Sequence, residues 1–282
     1  MSKFFQTIEN TLTLVGYSVK FASRHKQLLV IPLMRLVAII LAGVVAWFIG
    51  RGLIYLFKGP EGLNIVDKNA MSASDHMLIL ICLFIFMLFV SIIAMLSELM
   101  LAHAIGDLFR KNQVSLSDAL VKSFRRFGRT VIWATTDVLI HLIANRDKRH
   151  SILGDLFVLG WQLATLFIVP VFAFEDLGVY ASIKRSAGIF ENHYGKTAVA
   201  AFSFGSLSLL GALVPFVLLP GAIYLNIIPI FFALCFLYIL VAIAFISLAH
   251  AIFTTALYFH AVGESTGEID ARVLEQNFIK RE

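Results

Sequence analysis

The chain has 282 residues, 59% of them apolar and 15% charged, with a formal net charge of +5 and a mean hydropathy of +0.87. That composition lies outside the range of soluble domains and makes lipid the solvent for most of the surface. It leaves no room for a soluble catalytic domain, and the positive balance implies no nucleic-acid partner, because no basic face interleaved with aromatics accompanies it.

In chain order, residues 1–25 are amphipathic and lack the continuous apolar stretch and small-residue cleavage site of a signal peptide, so the first span is expected to stay in the mature protein. Phe4, Ile8, Leu12, Val15 and Val19 recur at helical spacing on one face, with Lys20 and Arg24 on others. The first membrane span is predicted over residues 28–49. Arg35 lies a short way inside it, where its long stem can snorkel the charge back to the headgroups. Ala38, Ala42, Ala46 and Gly50 repeat every four residues, a small-residue pattern that lets helices approach closely, either within the chain or between subunits.

A second span is predicted over 77–101, with Glu98, His103 and Asp107 at its charged end. A second amphipathic stripe follows, Leu116, Leu120, Phe124, Phe127 and Val131, with Lys122, Arg125, Arg126 and Arg129 on its other faces. It runs into a third segment, 131–144, which is short and polar enough to read as a span, a re-entrant helix or an interfacial one. Asp137 and His141 stand four residues apart there and share a helix face. With Arg35 they are the candidates for an intramembrane polar site or proton-sensitive gate; the plainer alternative is a short helix near the outer surface with both groups wet.

The fourth span is predicted over 153–174 and is followed by a third stripe, Val179, Ile183, Ala187, Phe190 and Tyr194, flanked by Lys184 and Arg185. The fifth, 197–220, and sixth, 228–260, are joined by an apolar hairpin around Gly221 and Asn226. Pro170, Pro215 and Pro220 should break or kink the fourth and fifth, and carbonyls freed at such breaks need partners from protein or from water in a cavity. With six spans and both termini in the cytoplasm of a bacterial-type inner membrane, sixteen of the 23 Lys and Arg face inward and six fall in outer loops, as the positive-inside rule requires.

The predicted fold is therefore all-α, a polytopic membrane helical bundle of about six transmembrane helices and three interfacial amphipathic helices in one domain, residues 1–282. The pattern reads as three copies of amphipathic helix plus two-span hairpin, over 1–102, 103–175 and 176–282, although any helix docked on a membrane protein shows similar spacing. Cys82 and Cys235 lie within predicted spans and read as packing residues.

The motif KQLLVIPL at residues 26–33, the run from Gly160 and Trp161 through Phe167 to Val169 and Pro170, and Lys184-Arg185-Ser186 resemble an uncharacterised prokaryotic family of multi-pass membrane proteins, a domain of unknown function, across most of residues 15–210. The resemblance implies a membrane location and no activity, and it carries over no catalytic residue.

Motifs for a serine nucleophile elbow, a phosphate-binding loop, a dinucleotide site or a paired acidic Mg²⁺ site are missing from the sequence, and no metal-ligand spacing or cofactor motif occurs. The expectation is a non-enzymatic membrane protein of structural or assembly type, self-associating as a homo-oligomer. Its interfacial helices would contact anionic membrane phospholipid through Lys20, Arg24, Lys122, Arg125, Arg126, Arg129, Lys184 and Arg185. The alternative is a small channel or transporter using Arg35, Asp137 and His141.

Overall fold

The structure, a computed structural model, describes residues 16, 18–58, 73–144, 152–194 and 228–264. Among them all regular structure is helical. A helical turn at residues 18–24 and a 3-10 turn, Lys26–Leu29, lead into α1 (Val30–Lys58). Then come α2 (Ala73–Lys111), α3 (Leu116–Phe124), α4 (Phe127–Ala144), α5 (Ile152–Ala164), α6 (Ile168–Phe174), α7 (Val179–Ile189) with a π-helical turn Phe190–Tyr194, and α8 (Ile228–Ala261).

Local chemistry explains the boundaries. α2 stops where Asn112 takes the left-handed conformation, φ 52°, and α8 where Gly263 does, φ 76°, its successor Glu264 donating its N–H back to the Phe259 carbonyl at 2.9 Å. The Ser115 hydroxyl caps α3 by accepting the Asp118 N–H at 3.3 Å. The fourth predicted span is two helices, not one. Pro170 has no N–H to give the Leu166 carbonyl and is tolerated in the first turn of a new helix, so the chain breaks over residues 165–167 and restarts as α6.

Among the described residues, four helical segments are long and apolar enough to cross a membrane: Lys26–Leu53, Ile79–Lys111, Phe157–Phe174 and Ile230–Ala261. They coincide with the predicted first, second, fourth and sixth spans, which makes this a membrane-protein fold. The third predicted segment is helical within α4 but is not among the four, because Arg129, Asp137 and His141 dilute its hydropathy. The fifth, 197–220, with Pro215 and Pro220, lies outside the described residues.

α2 is the central helix, packed against α1, α3, α4, α6 and α8. The core sits at one end of the long helices, where Leu28 and Ile31, then Leu101, Ala104 and Ile105, then Leu248, Ile252 and Leu257 close together. Gly106 is needed there: a Cβ would fall 2.5 Å from Cζ of Phe174. Away from this end the long helices keep their apolar side chains outward, including Val44, Trp47 and Phe48 of α1, Leu80 and Phe89 of α2, and Phe232 and Phe236 of α8, as a lipid-facing belt does. Ala38, Ala42, Ala46 and Gly50 are the half-buried face of α1 amid these exposed neighbours, and α1 packs chiefly on α2.

The amphipathic stripes differ in placement. The predicted stripe 116–131 falls on two helices, because a turn at residues 125–126 separates α3 from α4: in α3 the buried residues are Ala119 and Ser123 while Leu120 and Phe124 face outward, and Phe127, which opens α4, is exposed as well. In α7, Val179 and Ile183 pack inward beside Trp133 and Phe172, and Phe190 joins the main core. Most of the first stripe lies outside the described residues.

Candidate functional site

An apolar helix bundle gains nothing from unpaired charge within its long helices, so ionisable groups there direct attention to whatever holds them. Arg35 does not snorkel. Its Nη1 lies 3.2 Å from Oε1 of Glu98 on α2, and its Nη2 donates to Oγ of Ser247 on α8 at 2.9 Å. The arginine side chain is 13% exposed and the glutamate 40%. Turning inward satisfies two donors that the apolar belt outside cannot. Glu98 lies thirteen residues before Lys111, about 20 Å along the axis at 1.5 Å per residue.

Glu98 and Ser247 open onto a cavity of about 760 Å³ between α2, α4, the α5–α6 break and α8. Its polar lining adds Asp137, Gln162, Thr165, His250, Thr254 and Thr255; Met95, Trp133, Leu163 and Val169 are among its apolar walls. The broken backbone forms part of that wall, since Thr165, Leu166 and Ile168 line it. The break is held from behind: the Phe167 N–H donates to Oγ of Ser186 at 3.0 Å, with both residues fully buried.

Asp137 reaches the cavity from α4, and Nε1 of Trp161 donates to its Oδ1 at 3.0 Å. Trp161 is itself fixed by stacking on Trp133, ring centroids 5.5 Å apart. The predicted pairing with His141 is present: its Nδ1 is 3.5 Å from Oδ1 of Asp137 and 2.9 Å from the Asp137 carbonyl. His141 is not among the cavity-lining residues, so the two part company there. The structure thus brings Arg35 and Asp137 to one cavity through Glu98 and Ser247. Glu98 was legible as an in-span acid, but no spacing rule ties residue 35 to 98 and 247.

The predicted headgroup cations separate into two sets. Lys20, Arg24 and Lys184 are on exposed surface. Lys122, Arg125, Arg126 and Arg129 line a second cavity, about 570 Å³, with His103, Asp107, Arg110, Phe174 and Asp176. Several have partners inside the protein. Lys122 meets Asp107 at 2.6 Å, Arg129 meets Asp176 at 2.8 Å and donates to the Leu177 carbonyl at 2.7 Å, and Arg126 donates to the Glu175 carbonyl at 2.9 Å. Arg185 meets Glu175 at 3.0 Å, and the Tyr258 hydroxyl donates to the same carboxylate at 2.9 Å. No cluster of three or more metal-ligating side chains occurs among the described residues.

Residues 74–268 match DUF6159, a family of unknown function. The chain belongs to this family. The DUF6159 segment starts at the beginning of α2 and contains the residues that line both cavities, while α1 with Arg35 precedes it. The motif at 26–33 falls outside the match, and the runs around Gly160–Pro170 and Lys184–Ser186 fall inside. No curated protein and no solved structure matches the chain.

Proposed function

We propose that this chain is a non-enzymatic transport-type protein of a bacterial-type inner membrane, with six spans and both termini in the cytoplasm. Its larger cavity would bind a small solute with an apolar body and a cationic or hydrogen-bond-donating head. The observation that carries the reading is the Arg35–Glu98–Ser247 network opening, with Asp137, onto a cavity of about 760 Å³. A charge costs up to roughly 2.5–3.5 kcal/mol at a helix centre on insertion scales and less toward an end, a cost that leucine would avoid and that a polar binding site explains. The volume suits a ligand of modest size, mostly apolar with a few polar contacts. Arg35 offsets one of the two carboxylates, which leaves acceptor character for the ligand head. The α5–α6 break adds support, because irregular backbone at membrane depth is tolerated where it is buried in protein or lines a water-filled cavity, as in the broken helices of transporters.

The test is uptake of ethidium, an apolar organic cation, into proteoliposomes. Wild type should exceed protein-free vesicles, and Asp137→Asn should cut the rate about tenfold, the loss of a charged hydrogen-bond acceptor. Uptake at the vesicle background, or equal in Asp137→Asn, would sink the transport reading. A second reading, a self-associating scaffold on anionic phospholipid, is favoured by the outward Leu120, Phe124 and Phe127 beside Arg125. A discrete homo-oligomer retaining anionic lipid in native nanodiscs would support it.

A further inference from the structure

The smaller cavity is independent of the transport reading. We propose that it is a binding site for a phosphate group, carried either by a soluble phosphate or by a phospholipid headgroup. Five cations, Arg110, Lys122, Arg125, Arg126 and Arg129, converge on one concave space at the α3–α4 turn and the end of α2. Interfacial cations on a convex helix would point apart into the headgroup layer. These point together, which suits a single compact anion.

Charge accounting supports an anion. Of six Lys and Arg in and beside the cavity, counting Lys111, five meet three carboxylates: Asp107 is shared by Lys111 and Lys122, Asp176 by Arg126 and Arg129, and Glu264 takes Arg110, while Arg125 forms no salt bridge among the described residues. Glu175 is committed to Arg185 and Tyr258. Arg126 has its carboxylate only at 3.9 Å and directs Nη1 at a neutral carbonyl, although a guanidinium has five N–H donors. Burial first, then repulsion from Arg129, holds the Arg126 guanidinium below the usual arginine range, a strain that a bound anion relieves.

The second observation is His103. It is 6% exposed, lines this cavity, and its Nε2 has no hydrogen-bond partner among the described residues. A buried polar nitrogen without a partner is costly, and a phosphate oxygen supplies one. The cavity also lies at the N-terminus of α4, eighteen residues long, whose dipole is positive there. Phosphate, with several acceptor oxygens, matches converging guanidinium forks better than a monovalent halide does.

The experiment uses the full chain in maltoside micelles stripped of lipid and free of phosphate. Radiolabelled inorganic phosphate is followed by equilibrium dialysis, and retention of short-chain phosphatidic acid by native mass spectrometry. One bound equivalent of either is expected; phosphate binding identifies a soluble source, and phosphatidic acid alone identifies a headgroup. Arg125→Gln with Arg126→Gln should weaken binding about tenfold or more, as loss of charge-assisted contacts does, while Lys184→Gln leaves it unchanged. His103→Phe keeps every cation and should still weaken binding a few-fold, which covers a double variant that fails to fold. Wild type that binds neither probe overturns the proposal, and so does equal weakening in Lys184→Gln, the mark of diffuse charge.

Discussion

The Arg35–Glu98 pair predicts an asymmetry that its two exposures set. Coulomb attraction at 3.2 Å and an effective dielectric near 20 is about 5 kcal/mol, an upper bound because both ions give up hydration. Glu98→Leu leaves the arginine, 13% exposed, with Ser247 as its hydrogen-bond partner among the described residues, so the cost falls at the low end of the buried-charge range, about 3 kcal/mol. Arg35→Met leaves a carboxylate 40% open to the cavity, which water can reach, and should cost about 1.5 kcal/mol. The double variant removes both charges and should be more stable than Glu98→Leu alone, a non-additivity of about 3 kcal/mol. SDS titration of the four proteins in mixed micelles measures this. If the double variant costs the sum of the singles to within about 0.5 kcal/mol, the two side chains are not coupled and the inward-turned arginine is wrong.

Two further outcomes test the packing around the cavities. Gly106→Ala would put a methyl 2.5 Å and 2.7 Å from Phe174 ring atoms, and that ring is hemmed in by Phe259 at 5.1 Å and Arg110 at 5.0 Å; overpacking of this kind should cost about 1–3 kcal/mol in the same titration, and a neutral result would place Phe174 elsewhere. Ser186→Ala removes the hydroxyl that accepts the buried Phe167 N–H, so about 1–3 kcal/mol of stability and the hydrogen-exchange protection of residues 165–168 should be lost together; unchanged protection there would mean the break is held by something else.

Much of the architecture was legible because apolar length is a one-dimensional property. Four predicted spans coincide with the four segments that, among the described residues, are long and apolar enough to cross a membrane, and Pro170 announced the break in one of them. Periodicity could say neither where a helix stops, since the stripe from Leu116 to Val131 is divided between α3 and α4, nor what each face meets. The same 4-4-3-4 stripe faces outward at Leu120 and Phe124 and inward at Val179 and Ile183, because burial depends on which helix lies alongside. Likewise the small-residue run of α1 reads equally as an intrachain or an intersubunit contact, and spacing alone does not choose between them.

The candidate sites divide along the same line. By itself the sequence determined the membrane class, the positions of the long helices, and the existence of charges within them, since each follows from composition or from spacing along one helix. Only the tertiary structure decided that Arg35 answers Glu98 and Ser247, that Asp137 shares their cavity while His141 does not, and that the basic residues around Arg126 close on one space with His103. Those are contacts between helices separated by 63 and 212 residues in the case of Arg35, and no local periodicity encodes them. They are set by how the helices pack at the charged end of the bundle, where unpaired charge and apolar surface must both be satisfied at once.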